Sequence, residues 1–380
     1  MSGADHFSPD YATARARFRR AAEVAGCALE AHPIGQRGAQ GEELTIDVAL
    51  CGAELPTRTV VVSSGLHGVE GFLGSAVQLA VLEDLPARGL PEGLRLVFVH
   101  ALNPYGFSWI RRVNEHNVDL NRNFLRPGES YSGSPAGYAE LDGMLNPRRA
   151  SRPLSLFLPR AALSIARHGM AALKNAVAGG QYDFPQGLFF GGHAPERTNE
   201  LVAEHIGRWV GEATTERTYH VDFHSGLGAP ATYKLLVDHP TGDPVVADLE
   251  RDFGADVVQP WDPTTGVAYE IKGGLGTWCQ ARFGPRYDVL VAEFGTLPPI
   301  GVVRALHLEN RAHHWGRPGD RATRRAKEAM MAAFAPRGRE WRDVTAQRGV
   351  AIVERALRAL SPVEAGAERA EVRAAGRERA

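Results

Sequence analysis

The sequence predicts an α/β fold: a mixed, mostly parallel central sheet flanked by helices on both faces. Three observations carry the prediction. Short apolar runs of strand length alternate with stretches of helical period, turn residues separate them, and several runs end abruptly in polar residues.

In chain order, residues 11–31 read as a helix leading into a strand at Leu44–Leu50. A second apolar run, Thr59–Ser63, ends in the turn Ser64-Gly65, and a strand that ends in glycine marks a place where backbone approaches a ligand. Gly74–Leu85 has helical period and Leu94–His100 reads as a strand, whereas Asn103–Arg126 is too rich in Asn, Arg and Asp for a core element. Residues 151–179 read as a helix, and Thr198–Val210 as another with Thr198 at its cap. Thr218–Phe223 is a strand that ends at His224, and Tyr287–Ala292 is one that ends at Glu293. Helices Val302–Trp315, Arg321–Phe334 and Val344–Leu360 follow. Beyond Ser361-Pro362 the chain is Ala, Glu and Arg, with too little to bury for more than a frayed helix or disorder. No internal repeat or linker interrupts the pattern, which gives one main domain over residues 1–340 and a C-terminal helix and tail over 341–380.

Composition narrows the function by exclusion. A chain of 380 residues buries a core large enough for an enzyme, and 43 Lys and Arg against 44 Asp and Glu leave no basic field for nucleic acid. By default the partner is a small molecule or peptide. The three cysteines, Cys27, Cys51 and Cys279, are odd in number and far apart, which fits a reducing compartment better than a disulfide framework, and they lack the spacing of a cysteine zinc site. With no signal-peptide core at the N-terminus and no long apolar run, the expectation is a soluble, cytoplasmic protein without membrane contact.

The chemistry gathers where strands end, since open α/β sheets bind ligands outside the carboxyl ends of their strands. His67, His224 and Glu293 fall there. A catalytic zinc needs three imidazole or carboxylate ligands and one open position, and His-x-x-Glu with a distant His supplies that set. The chain holds His-x-x-Glu twice, at His67–Glu70 and at His193–Glu196. Context favours the first, in SSGLHGVEG after a buried strand, over the second, in GGHAPERTNE with Pro195 inside it. Period-two geometry sets His220 and His224 on one face of their strand but about 13 Å apart, so only one of them reaches the strand end. Asp222 shares that parity, as a partner of a ligand or as a buried, satisfied carboxylate. His313 and His314 read as structural. The spacing Gly65, Gly68, Gly71 is not the dinucleotide fingerprint, and no P-loop or G-x-S-x-G occurs.

A further segment, NPYGFSWIRRVNEHNVDLNRNF from Asn103 to Phe124, is far more specific. Together SGLHGVEG, this segment, DFHSG at Asp222–Gly226 and AEFG at Ala292–Gly295 resemble, in order, the zinc carboxypeptidases of the carboxypeptidase A type, as a divergent bacterial-type branch. The resemblance spans residues 63–295 and implies a zinc carboxypeptidase-like catalytic domain with one zinc ion per chain, held by His67, Glu70 and His224. It implies that Asn121 and Arg122 anchor the free carboxylate of the substrate, for which a guanidinium fork is suited. Asp119 would accept the other ring proton of a bound His, taken to be His67. Arg112, with Arg111 left open, would polarise the scissile carbonyl, and Glu293 would be the general acid/base. Tyr269, 24 residues before Glu293 and followed by Gly273-Gly274, resembles the mobile tyrosine that closes over substrate. Leu275, Gly276 and Thr277 would floor the specificity pocket, with Lys272 beside it to favour an acidic or small leaving residue, or simply solvated.

The implied reaction is hydrolysis of an amide next to a free carboxylate, on a peptide or N-acyl amino acid. Relatives with the same His-x-x-Glu and DLNR elements leave an N-acyl-amino-acid deacylase of the succinylglutamate desuccinylase/aspartoacylase type as an alternative. A non-catalytic metal-binding protein is the second; retention of every expected ligand and of Glu293 argues against it.

Overall fold

A computed structural model describes residues 2–150, 157, 159, 163, 179–261 and 272–361. Its apolar runs pair into one eight-stranded sheet. The strands are β1 Ala28–Arg37, β2 Glu43–Gly52, β3 Arg58–Ser64, β4 Leu94–His100, β5 Arg217–Leu227, β6 Tyr233–Pro240, β7 Val258–Trp261 and β8 Tyr287–Leu297, in the order β1-β2-β4-β3-β5-β8-β6-β7. The centre, β4-β3-β5-β8, is parallel, while β2 and β6 run antiparallel on its two sides. Every residue of β4 is buried, and β3 and β5 are buried except at an end, which is why they read as continuous apolar runs rather than as an alternation.

Ten helices are described: α1 Tyr11–Val24, α2 Gly71–Arg88, α3 Pro104–Ser108, α4 Tyr138–Leu145, α5 Arg197–Val210, α6 Pro244–Phe253, α7 Leu275–Phe283, α8 Pro299–Trp315, α9 Arg321–Phe334 and α10 Arg339–Ala359. Helices α2 and α10 cover β3 and β5 on one face, and on the other α5 crosses β1, β3 and β4 while α7 lies against β6 and β8. Helix α10 buries Trp341, Ile352, Val353 and Leu357 and packs on α2, so residues 339–359 belong to the same core as the sheet. No helix among the described residues is long and apolar enough to cross a membrane.

The structure departs from the sequence reading in several places. The helix expected over 11–31 ends at Val24, because Gly26 turns the chain at φ 70° and the following residues pair with β2 as a strand. Thr198 is not a cap: Glu196 holds the N-cap position, and the Thr198 hydroxyl donates to the Leu102 carbonyl. Outlying strands β6 and β7, with helices α6 and α7, occupy stretches left as loops. The cysteines are not three free thiols, since Cys27 and Cys51 meet across the β1–β2 pairing as a disulfide and Cys279 alone is a buried thiol. The helix expected over 151–179 lies almost wholly outside the described residues, as does the tail beyond Ser361.

Candidate metal centre

The first arm of the site leaves the end of β3. Gly65 turns the chain at φ 65°, and Gly68 meets α3 so closely that a Cβ there would lie 2.1 Å from the Gly106 backbone. The Gly68 and Val69 amides donate to the carbonyls of Arg112 (3.0 Å) and Arg111 (2.8 Å), which fastens this turn to the Asn103–Arg126 segment. Residues 68–70 then form one 3-10 turn, so His67 and Glu70 face the same way, with His67 Nδ1 3.1 Å from Glu70 Oε1.

The second arm is the sheet itself. His224 and Glu293 are register partners, side by side on the parallel strands β5 and β8, which run on past them to Leu227 and Leu297 rather than ending there as the sequence predicts. His224 Nδ1 lies 3.0 Å from His67 Nδ1 and 3.1 Å from Glu70 Oε2, and the three ligand atoms all fall within 4.8 Å of one another. Of two such groups among the described residues, His67–Glu70–His224 is the one buried throughout.

The donor set fits a cation of the zinc type. Two Nδ1 atoms facing each other beside a carboxylate share one focus, and two imidazoles with one carboxylate leave a fourth position open. Both rings are backed by carboxylates: His224 Nε2 lies 2.6 Å from Asp222 Oδ2, and His67 Nε2 lies 3.3 Å from Asp119 Oδ1. Burial pushes the Glu70 carboxyl up, but His67 and His224 outweigh it and hold it well below the usual carboxylate range, ready to coordinate as an anion. Likewise burial pushes the His224 proton affinity down, yet Asp222 and Glu70 carry it well above the ordinary histidine value, and a cation at Nδ1 takes the place of that proton.

Arg111 and Arg112 point in opposite directions. Arg112 reaches the centre, with Nε 3.0 Å from Asp119 Oδ2, Nη1 3.6 Å from Glu70 Oε1 and Nη2 2.7 Å from His67 Nε2. Its guanidinium lies over the Phe189 ring, 5.3 Å from the centroid, and Phe189 itself is held at φ 59°. Since Arg112 only donates and Asp119 only accepts, the proton on His67 Nε2 decides which of the two that nitrogen bonds. Arg111 turns away, fully buried, and pairs through Nε with Glu309 (2.9 Å) and through Nη2 with Asn117 (3.0 Å). Asn121 and Arg122 follow Asp119 on a 3-10 turn; Asn121 Oδ1 accepts from the Leu275 amide at the start of α7, and the buried Arg122 side chain runs past Gly180. The positive charge of Arg122 bears on Asp119, which burial pushes up but Arg112, His67 and Arg122 hold far below the carboxylate range.

Glu293 is half-buried, and its Oε1 accepts from the Leu227 amide at 2.9 Å. Burial first and the neighbouring Glu70 second push its carboxyl up to about 7, against the opposing pull of His224. A carboxyl so poised exchanges a proton near neutrality.

Other candidates fall elsewhere. Tyr269 lies outside the described residues. His193 is exposed and meets Phe190 edge to face, while Glu196 takes the Asn114 amide and His116 instead. The Lys272 ammonium donates to the Ser130 (2.6 Å) and Ser132 (3.3 Å) carbonyls and lies over the Tyr182 ring. Burial, helped by Arg111, pushes His313 down to about 3, which leaves it a neutral packing residue. Sequence reasoning missed Phe189 beneath Arg112, and also the Ser225 amide, which donates to Glu70 Oε2 at 3.1 Å. Only Ser225 carried a signal, as the residue after a strand-end histidine.

No curated protein sequence matches the chain. Among solved structures, bovine thrombin-activatable fibrinolysis inhibitor, in complex with tick carboxypeptidase inhibitor, is similar with a TM-score of 0.50 at 13% identity over 93% of this chain and 98% of that one. Carboxypeptidase A from Helicoverpa armigera aligns with a TM-score of 0.44 at 13% identity, over 86% of this chain and 74% of that one. An aspartoacylase family protein from Mesorhizobium loti aligns with a TM-score of 0.38 at 14% identity, over 78% and 68%. At such identities the likeness is one of fold, and the fold is the carboxypeptidase-like one that the motifs imply. The model of one sequence family, described as a protein of unknown function, DUF2817, matches residues 7–348, and the chain belongs to that family.

Proposed function

We propose that this protein is a zinc-dependent hydrolase of the metallocarboxypeptidase type, cleaving an amide bond next to a free carboxylate. One observation carries the reading: two imidazoles and a carboxylate converge on a buried focus, with Glu293 beside it in strand register with His224.

His67, Glu70 and His224 would hold the ion, through Nδ1, a carboxylate oxygen and Nδ1. When bound, zinc supplies Lewis-acid polarisation of the scissile carbonyl and acidifies water. Glu293 takes a proton from the attacking water and returns it to the leaving amine, a shuttle that a carboxyl pushed up to about 7 performs in both directions. Arg112 donates to the oxyanion as charge develops, in an orientation kept by Asp119 and the Phe189 ring. Arg122 and Asn121 bind the terminal carboxylate, so the substrate is a peptide or an N-acyl amino acid with that group free.

The test incubates zinc-loaded protein with free-acid peptides, their C-terminally amidated controls and N-acyl amino acids, with Glu293→Gln as the blank and products followed by mass spectrometry. Loss of single C-terminal residues from free-acid peptides alone is the expected result. Cleavage confined to N-acyl amino acids assigns a deacylase, and no difference from the blank sinks the hydrolase reading in favour of a non-catalytic metal-binding protein.

A further inference from the structure

Behind His224 runs a line of polar side chains that the reaction above does not use. Asp222 Oδ2 lies 2.6 Å from His224 Nε2, and its Oδ1 accepts from the Ser63 hydroxyl at 2.6 Å. Ser63 Oγ is 2.7 Å from His220 Nε2, and His220 Nδ1 is 2.9 Å from the Tyr287 hydroxyl. Sheet register assembles the line: Ser63 pairs with Asp222 across β3 and β5, and His220 sits two residues upstream on the same face. Each of these side chains is at most 2% exposed, and the space beside Ser63 and His220, about 10 Å³, is otherwise lined by Val61, Val97, Val99 and Val202 among other apolar residues. Among the described residues the hydrogen-bond partners of these side chains are one another and His224.

Counting hydrogens gives the line a direction. Burial pushes His220 down to about 4, so its ring is neutral and carries one proton, and burial keeps the Tyr287 hydroxyl protonated. Ser63 has a single hydrogen, and it goes to Asp222. His220 must therefore donate to Ser63 from Nε2, which leaves Nδ1 to accept from the Tyr287 hydroxyl. Every donor points toward Asp222, and that carboxylate receives from both sides.

Resting on the metal-centre reading above, we propose that Tyr287, His220 and Ser63 are positioning residues: a one-way hydrogen-bond chain that fixes Asp222 and so holds His224 with its proton on Nε2 and its lone pair on Nδ1, toward the metal position. Without the Tyr287 hydroxyl, His220 Nδ1 loses its donor and the ring is free to carry its proton there. Its Nε2 then accepts from Ser63, and Asp222 loses a hydrogen bond. Partners bonded directly to a metal ligand, as Asp222 is to His224, set metal affinity by roughly 10- to 100-fold where they have been altered, and Ser63, His220 and Tyr287 act through Asp222.

The experiment compares the full-length protein with Tyr287→Phe, Ser63→Ala and the double variant. Zinc affinity is read by competition with a chromophoric chelator, and the His220 tautomer by ¹⁵N NMR of histidine-labelled protein without metal. Expected results are an Nε2–H tautomer for His220 in the parent, a shift toward Nδ1–H in Tyr287→Phe, about tenfold weaker zinc binding in each single variant, and a double variant no worse than the weaker single, since both cut one chain. Unchanged tautomer and zinc affinity within twofold, in variants that merely melt earlier, would overturn the proposal. Should Tyr287→Phe fail to fold, Ser63→Ala carries the affinity test. If the parent binds no zinc, the metal-centre reading fails, while the tautomer comparison still decides the relay.

Discussion

The candidate site has two halves held by different physics. His224, Asp222 and Glu293 stand on β5 and β8, where a ladder of backbone hydrogen bonds sets their spacing and parity. Arg112, Asp119, Asn121 and Arg122 stand on the Asn103–Arg126 segment, which has only short helical turns. Asparagine side chains hold that segment: Asn103 accepts from the Gly106 amide, Asn114 from the His116 and Val118 amides, and Asn117 donates to the Pro185 and Gly187 carbonyls. The strand half is therefore rigid by default, while the loop half depends on individual side chains.

The largest effect should come from the strand half. Glu293→Gln keeps the Leu227 contact but cannot shuttle a proton, and kcat should fall about 10³-fold with melting unchanged. Because ionised Glu293 is the proton acceptor, kcat/KM should be lost as pH falls, with the acid limb at or below about 7 once the dication adds its pull. A limb that persists unchanged in Glu293→Gln would move the proton shuttle to another group.

On the loop side, the next effect is on stability. Glu309 is 3% exposed and bonds Arg111 and Lys327, and although burial pushes its carboxyl up, those cations hold it at about 2, from an ordinary 4.5. A carboxyl lowered on folding stabilises the fold above its ordinary value, and that stability drains away as pH falls from about 4.5 toward about 2. The amount is about 3 kcal/mol for a shift of this size. Urea midpoints at pH 7, 5 and 3 should show a loss in the parent that Glu309→Gln lacks; equal slopes would mean that the clamp on Arg111 contributes nothing.

The same division decides what the sequence reveals. Strand positions are legible from apolar runs and parity: the runs predict β3, β4, β5 and β8 within a few residues at their starts and place His224 and Glu293 on β5 and β8, although both strands run on past them. Loop residues are legible only as a motif, because nothing in Arg111-Arg112 says which guanidinium faces inward until the Gly68 and Val69 amides take the two carbonyls. Phe189 had no signal at all, since its position depends on chain distant in sequence. Strands β6 and β7 were missed because YKLLVDHP mixes charge into an outlying strand, although Asp243-Pro244 ahead of VVADLERDF was a readable start for α6, with Asp243 capping Val245. Cys27 and Cys51 looked unrelated because β1 had been read as the end of a helix.

A sharper contrast comes from the two adjacent arginines. Per folded molecule, Arg112→Ala should lower kcat by about 10²-fold, as loss of one oxyanion donor does, while also costing stability by leaving the buried Asp119 without that cation. Arg111→Ala strips the buried Glu309 of a partner and should cost about 3 kcal/mol or more of stability. Per folded molecule, its kcat should stay within a few-fold of the parent. Reversed outcomes would exchange the two roles.

The smallest effect tests how the loop half is kept in place. Asn123 is 1% exposed; its Nδ2 donates to the Gly191 and Ala194 carbonyls at 2.8 Å each, and its Oδ1 accepts from the Glu196 amide at 2.8 Å. This one side chain ties the arginine-bearing segment to the chain that carries Phe189. Asn123→Ala leaves three backbone groups without that partner and should lower stability by about 2 kcal/mol. Hydrogen exchange should quicken in residues 188–196 while β5 and β8 keep their protection, because ladder bonds do not depend on Asn123. Exchange that rises equally in both halves would show that they are one cooperative unit, and the distinction between strand-held and side-chain-held halves would fall with it.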